Sequence, residues 1–134
     1  MQPGSTITSG QCTSGPPDVC NTPSSSGTTP VSYTNTSQLS NCTNTSSKVF
    51  FDNGQVVHLN SSMSSSSGDE AGSSGGTVSG VTMSKVAFSQ GSSKVTIEGN
   101  ACIYNTCATL HNGSSSNTTG TQTSASQQKV QVGE

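Results

Sequence analysis

The stretch KVFFDNGQVVHL, which runs from Lys48 to Leu59, decides the fold class that this sequence predicts. Two runs rich in Val and Phe flank Asp52-Asn53-Gly54. Asn-Gly accepts the positive φ angles of the tight turn that the twist of paired strands favours. The stretch therefore predicts a β-hairpin.

The composition extends this prediction to the whole chain. Hydrophobic residues make up 26% of the 134 residues, and 11 of the 20 Leu, Ile, Val and Phe residues are Val. Val, together with 19 Thr, favours strands over helices. A chain so poor in apolar residues resembles a disordered one, but its net charge of only -2 argues against disorder. We expect an all-β protein with no helix and with a small core that needs additional support.

Charge and terminal sequence exclude several classes of partner. The four basic residues are scattered lysines, so no basic patch is available for nucleic acid. The first ten residues, MQPGSTITSG, lack a basic start and an apolar run, and no apolar segment reaches 18 residues. We therefore expect neither a signal peptide nor a membrane span.

The chain reads as a single domain, residues 1–134, with two unlike parts. Residues 1–47 are rich in Gly, Pro, Ser and Thr, which predicts loops and turns. Residues 48–134 are predicted to be rich in hairpins. The first is Lys48–Leu59; a second joins residues 77–88 to KVTIEG (94–99), with Val95 and Ile97 on its inner face. A short strand ACIY (101–104), a serine-rich turn (112–126) and a last strand KVQV (129–132) complete the prediction.

Cysteine usage leaves two interpretations open. The odd count of five, without a signal peptide, indicates reduced thiols in a cytoplasm. Six N-x-S/T sequons suggest instead a secreted Ser/Thr-rich stalk or adhesive coat protein with disulfides and glycans, although 48 Ser and Thr generate such triplets by chance. The sequons begin at Asn35, Asn41, Asn44, Asn60, Asn112 and Asn117.

An ordered series of motifs spans nearly the whole chain, from Pro16 to Gly133. The series consists of PPDVCNTP (16–23), PVSYTN (30–35), DNGQVV (52–57), SSGDEAG (66–72), GGTVSG (75–80), GSSKVTIEGNA (91–101), LHN (110–112) and QQKVQVG (127–133). This order resembles the PAAR-like tip proteins of bacterial contractile injection machines, including type VI secretion systems and phage tail-like systems. Where the family has its Pro-Ala-Ala-Arg quartet, this chain has Ala-Cys-Ile-Tyr (101–104), which places it in a divergent branch.

The resemblance implies a fold, a role and a set of partners. It implies a small pyramid of short hairpins whose base docks on the trimeric β-helical spike of the valine-glycine-repeat type, and whose zinc-stabilised point leads into the target-cell membrane. Effector cargo is a further implied partner. The protein would be made in the bacterial cytoplasm, assembled on the spike and then ejected. The function expected is a structural, membrane-piercing tip.

Four residues are the predicted zinc ligands. The resemblance places Cys20, which lies between two prolines, and His111, within LHN, near the apex; His58 and Cys107 complete a tetrahedral shell of thiolate and imidazole. Because the chain has no C-x-x-C pair, spacing alone predicts no zinc finger. Each residue also has a simpler interpretation, as a buried thiol or a strand histidine. Cys12, Cys42 and Cys102 are expected to be packing or loop thiols, any of which could replace Cys107.

Catalysis is not expected. Asp69 and Glu70 are adjacent, so in a strand their carboxylates would face opposite ways, and their Gly- and Ser-rich surroundings predict a solvated turn. The sequence contains no G-x-S-x-G nucleophile elbow. We therefore predict a protein that is not an enzyme.

Overall fold

The computed structural model describes residues 2–133, and this part of the chain is almost entirely β. The all-β class is therefore confirmed. The strands are short and are joined by tight turns and by longer polar loops. Their bounds are β1 Gln2–Pro3, β2 Gln11–Ser14, β3 Asp18–Ser24, β4 Gly27–Tyr33, β5 Thr36–Gln38, β6 Cys42–Thr43, β7 Phe50–Phe51, β8 Gly54–Gln55, β9 Ser62–Met63, β10 Val86–Phe88, β11 Thr96–Ile97, β12 Asn100–Ala101, β13 Ala108–His111, β14 Thr118–Ser124 and β15 Gln131–Val132.

The main sheet has seven strands in the order β5-β2-β14-β13-β10-β9-β6, and every neighbouring pair in it is antiparallel. One turn of 3₁₀ helix, Leu39–Asn41, connects its two edge strands, β5 and β6. The sheet is thereby nearly closed on itself. Closure of this kind protects the edges of a sheet and allows a small core to be enclosed.

The core lies among the main sheet, the segment after β8 and the turn after β12. Its buried members are small aliphatic, sulfur-containing and aromatic side chains: Cys12, Leu39, Val56, Val57, Met63, Val86, Phe88, Ile97, Cys102, Ile103, Tyr104, Cys107 and Val132. Cysteines occupy three of these positions, as small apolar groups do. The predicted inner face of KVTIEG is confirmed, since Ile97 is buried and Val95 packs against the core, whereas Thr96 is exposed.

Ile103 provides a test of how much this small core contributes. Its side chain is fully buried. We expect Ile103→Ala to lower the free energy of unfolding by about 2–5 kcal/mol, because it removes buried methylene groups and leaves a cavity. The control is Val78→Ala, at a side chain that is 70% exposed, which should change stability by less than about 0.5 kcal/mol. Urea unfolding measures both values, and equal effects would show that the core lies elsewhere.

The hairpin predicted from KVFFDNGQVVHL is confirmed in its central residues, whereas Val57 N and Leu59 N donate instead to Ser5 O and Ala101 O. Strands β7 and β8 pair Phe50 with Gln55 and Phe51 with Gly54, so the turn residues are Asp52 and Asn53, with φ values of 49° and 67°. The turn therefore lies one residue earlier than Asn-Gly. Gly54 is needed for a different reason, because a Cβ there would lie 2.7 Å from Thr8 Cγ2.

The second predicted hairpin is wrong in its pairing. Strand β10 pairs with β9 and β13 in the main sheet, and β11 pairs instead with β12. Glu98 and Gly99 form the tight turn of that hairpin, with φ values of 51° and 86°. The apolar alternation was correct for each strand, but it carried no information about which strand is the partner.

Two segments that were predicted to be loops contain strands. Residues 1–47 include β2 and the longest hairpin of the protein, β3 with β4, whereas the predicted turn at 112–126 contains β14, which lies inside the main sheet. These strands are rich in Thr and Ser and are held by main-chain pairing and by side-chain contacts such as Thr13 Oγ1 to Thr123 Oγ1 at 3.0 Å. Strands β2 and β14 pair with each other although they are far apart in sequence, which a local pattern cannot reveal, whereas β3 and β4 are adjacent in sequence but carry no regular apolar alternation. The predicted last strand is confirmed as β15, which pairs with β1.

Candidate metal centre

The site is built on β3, which has neighbours on both sides. Strand β4 pairs along one side, and on the other side Asn21 N donates to Gly75 O at 2.8 Å and Thr77 N donates to Val19 O at 3.0 Å. Because side chains alternate along a strand, Asp18 and Cys20 point to the same side, and both are fully buried. The motif PPDVC therefore presents a carboxyl group and a thiol together.

The long connection between β9 and β10 brings a second carboxyl group to the same place. Asp69 is fully buried, and its carboxylate oxygens accept from Met83 N at 3.2 and 3.3 Å. Glu70 is exposed, and its Oε1 accepts from Gly68 N at 2.8 Å. The prediction of a solvated turn is correct for Glu70 and wrong for Asp69. The error arose because the charge pattern of a polar loop does not show that one of its acids turns inward.

Asp18, Cys20 and Asp69 form one group whose ligand atoms all lie within 4.8 Å of one another. Cys20 Sγ lies 3.7 Å from Asp18 Oδ1 and 3.7 Å from Asp69 Oδ2. Among residues 2–133 it is the one group of at least three His, Cys, Asp or Glu side chains that could hold a metal ion.

Burial and mutual repulsion favour the protonated forms of Cys20 and Asp69. Loss of hydration raises the pKa of the Cys20 thiol to about 12, and the neighbouring Asp18 and Asp69 carboxyl groups add to this shift. Loss of hydration, reinforced by the neighbouring Asp18 carboxyl group, raises the pKa of Asp69 to about 6. In residues 2–133 the only ion pair joins Lys129 to Asp52, so no basic side chain compensates these carboxyl groups. A cation would remove the repulsion.

The residues fit a metal ion in two respects. Asp18 Oδ2 is buried and has no hydrogen-bond partner, so one carboxylate oxygen is available to a ligand. In a tetrahedral zinc shell, neighbouring sulfur and oxygen ligands lie roughly 3.5 Å apart, which is close to the 3.7 Å between Cys20 Sγ and Asp69 Oδ2. Thiolate and carboxylate are both zinc ligands. The buried Asp-Cys-Asp group could therefore hold a metal.

Two glycines of the quoted motifs let the surrounding segments approach this group. A Cβ at Gly72, in SSGDEAG, would overlap the Cβ of Cys20 and lie 3.1 Å from Tyr33 Cε2. A Cβ at Gly76, in GGTVSG, would overlap the side-chain amide of Asn117. These motifs are explained by packing around Cys20 and Asn117.

The structure separates the four predicted zinc ligands. Cys20 belongs to the buried group; the other three lie outside it. His58 Nδ1 accepts from Asn60 N at 3.2 Å, and Cys107 Sγ accepts from Tyr104 N at 3.4 Å within the core. The set Cys20, His58, Cys107 and His111 stays a prediction.

His111 is buried, and both of its ring nitrogens have partners. Nδ1 lies 2.7 Å from Asn35 Oδ1, and Nε2 lies 2.9 Å from Thr109 Oγ1. Loss of hydration lowers its pKa to about 4, although the nearby Asp18 acts in the opposite direction. This arrangement holds a neutral imidazole as part of the packing between β13 and the segment before β5.

The pKa of His111 predicts acid sensitivity of the metal-free protein. Because the folded protein protonates His111 only near pH 4 and the unfolded chain does so near pH 6.5, stability is lost as the pH falls between these values. As the pH falls through this interval, the free energy of unfolding of the wild type should decrease by on the order of 3 kcal/mol more than that of His111→Gln. Urea unfolding of both proteins at several pH values measures this difference. Because both proteins contain Asp69, the titration of Asp69 does not contribute to it. Parallel pH curves would contradict the prediction.

Sequence reasoning missed Asp18 and Asp69 as members of the group. The available signal was their location, because three of only six acidic residues, these two and Glu70, lie in PPDVC and SSGDEAG, the more specific motifs of the series. It also missed Asn112 and Asn117, whose amides contact Asp18. Asn112 directly follows the predicted ligand His111 in LHN.

The remaining thiols and sequons are placed as follows. Cys12 and Cys102 are buried in the core, Cys42 packs against it, and all five cysteines are free thiols. Asn35 and Asn112, the first residues of two sequons, are fully buried and cannot receive a glycan in this fold. The described chain, residues 2–133, has no helix long and apolar enough to cross a membrane.

The family model of the toxin PAAR-like domain matches residues 11–120, which include every member of the buried group. The chain belongs to the toxin PAAR-like domain family. Comparison with curated proteins and with solved structures finds no significant match. Toxin PAAR-like domains are structural and toxin-associated, and they are not a known enzyme family. Membership supports a spike-tip protein of contractile injection systems, and the PAAR family is known to sit on spike proteins.

Proposed function

We propose that this toxin PAAR-like protein caps and sharpens the trimeric central spike of a contractile injection machine, such as a type VI secretion system. The observation that carries the proposal is the family match over residues 11–120. The protein acts through shape and stiffness rather than through catalysis. It is made in the bacterial cytoplasm, joins the spike, and is ejected with it, and with any effector cargo, toward a target membrane.

Zinc is the ion that we propose for the tip. A tapering end has little interior, and this chain has few apolar residues with which to fill one. Bound to Asp18, Cys20 and Asp69, zinc supplies a cross-link between β3 and the connection from β9 to β10. Cys20 is common to this ligand set and to the set predicted from sequence. The chain's own contribution is to bury the three groups, exclude water from them and hold Asp18 Oδ2 without a competing donor.

Binding to a spike tests the capping role. The purified protein is mixed with the trimeric spike protein from the same genome, and native mass spectrometry measures the mass of the complex. We expect one copy of this chain for each spike trimer, because a single asymmetric tip must cover a threefold end. Failure to form a complex at micromolar concentrations, or three copies for each trimer, would contradict the proposal.

A further inference from the structure

The two carboxylate oxygens of Asp18 lie in different environments. Oδ1 is contacted by three donors: the side-chain amide of Asn117, the amide of Asn112 at 3.4 Å and the Cys20 thiol at 3.7 Å. Oδ2 is buried and has no partner. Asp18 is fully buried, so bulk solvent does not reach its carboxyl group. The protein therefore fixes one oxygen and leaves the other available inside the Asp18–Cys20–Asp69 group.

Asn117 is held in the orientation that this arrangement requires. Its Oδ1 accepts from Val78 N at 2.8 Å and from Ser79 N at 3.1 Å. Its Nδ2 donates to Val19 O at 2.9 Å as well as to Asp18. A rotated amide would direct its N–H groups at the two main-chain donors, so the contacts permit only one orientation.

Asn112 is oriented in a similar way. Its Oδ1 accepts from Ser84 N at 3.1 Å, and its Nδ2 donates to Val81 O at 2.8 Å. The same Nδ2 lies 3.6 Å from Cys20 Sγ. The backbone at Asn112 adopts a φ of 61°, a conformation that Asn tolerates better than most residues. The amide therefore presents its N–H groups to the thiol and to Asp18.

We propose that Asn117 and Asn112 are positioning residues for a divalent cation, which hold Asp18 Oδ1 and the Cys20 sulfur so that Asp18 Oδ2 faces the ion. This inference rests on the proposed metal site. Carboxylate ligands of metals are themselves hydrogen-bonded, and loss of such partners typically weakens metal binding about 10- to 100-fold. Neither asparagine contacts the ion through its own oxygen, because main-chain N–H groups occupy both side-chain oxygens.

Asn117→Asp tests the role of the amide with the smallest change in shape. The new carboxylate keeps the acceptor for Val78 N and Ser79 N but places an acceptor where Nδ2 donates to Asp18. We expect zinc affinity to fall about 10- to 100-fold, measured by competition with a chelating dye. With Co²⁺ as the probe, the thiolate-to-cobalt charge-transfer band should weaken or shift. Asn60→Asp, which adds the same charge at an exposed position, should leave both readouts unchanged.

The outcomes separate this inference from the metal site itself. If the wild type binds neither Zn²⁺ nor Co²⁺, the metal site is wrong and the inference falls with it. If the wild type binds and Asn117→Asp binds equally well or more tightly, the asparagine is not a positioning donor. Asn112→Asp provides a second test in case Asn117→Asp does not fold, and circular dichroism without metal monitors folding. Unchanged zinc affinity in a folded Asn112→Asp would overturn the role of Asn112.

Discussion

Asp69→Asn is expected to have opposite effects on the metal-free and the metal-bound protein. Without metal at pH 7, the variant should be more stable than the wild type, because a buried carboxylate whose pKa is raised to about 6 is replaced by a neutral amide. Zinc should stabilise the variant much less than it stabilises the wild type, because one of the three ligands has been removed. Thermal unfolding with zinc and with a chelator measures both effects.

The effect of Asp69→Asn on the metal-free form depends on pH. The folded protein holds a proton on Asp69 up to about pH 6, whereas the unfolded chain releases it near the ordinary value of 3.8. The contribution of Asp69 to the free energy of unfolding is therefore fully present in acid and is lost as the pH rises through 6. The advantage of Asp69→Asn should be present at pH 7 and absent below pH 3.8. Glu70→Gln removes the same charge from the neighbouring exposed residue and should leave the stability of both the metal-free and the zinc-bound form unchanged. If Glu70→Gln changed stability as Asp69→Asn does, the assignment of Asp69 to the metal site would be contradicted.

Gly72→Ala is expected to weaken the fold and zinc binding together, because it adds a methyl group directly against Cys20. The new Cβ would overlap the Cβ of Cys20, with Tyr33 Cε2 and Asp69 O also within 3.3 Å. Overpacking of a rigid site costs about 1–3 kcal/mol or more. Because the added methyl group displaces Cys20, zinc affinity should fall together with the free energy of unfolding. Urea unfolding and zinc titration of the same preparation measure the two losses.

Gly15→Ala is the matched control for this steric prediction. Gly15 is exposed, precedes the same motif, and a Cβ there would meet nothing closer than Gly120 Cα at 4.0 Å. Neither glycine has the positive φ at which a side chain is strained in itself. A difference between the two variants therefore reports the contact with Cys20. Equal stability of Gly72→Ala and Gly15→Ala would show that the close approach is not required.

The strands that could be predicted from sequence are those with a local signal. KVFF and QVVHL are separated by a recognisable turn, and Val95 and Ile97 alternate with polar residues. Each of these signals lies within about a dozen residues, so the sequence alone predicts a strand there. Strand β14, TTGTQTS, has no apolar face to detect. It is a strand because it pairs with β13, which directly precedes it, and with β2, near the other end of the chain, and the second pairing cannot be detected in the local sequence.

The site was predictable only in part, for a related reason. The motif resemblance identified Cys20, which the structure places within the buried group. The other predicted ligands were Cys and His because thiolate and imidazole are the usual zinc ligands, so the predicted set contained His111 and omitted Asp18 and Asp69. Burial changes the chemistry of a carboxyl group, but burial depends on tertiary contacts. The inward turn of Asp69, with Met83 N as its donor, depends on a loop conformation that composition does not specify.

The zinc content of the purified chain tests the central claim most directly: that an ion bound at Asp18, Cys20 and Asp69 fastens a protein with little apolar core. Elemental analysis of the wild type and of Cys20→Ala, prepared without chelator, gives the number of ions per chain. We predict one zinc ion for the wild type, none for Cys20→Ala, and a lower unfolding temperature for the variant. A wild-type chain that is compact and free of metal, or a Cys20→Ala variant with undiminished zinc, would contradict the account.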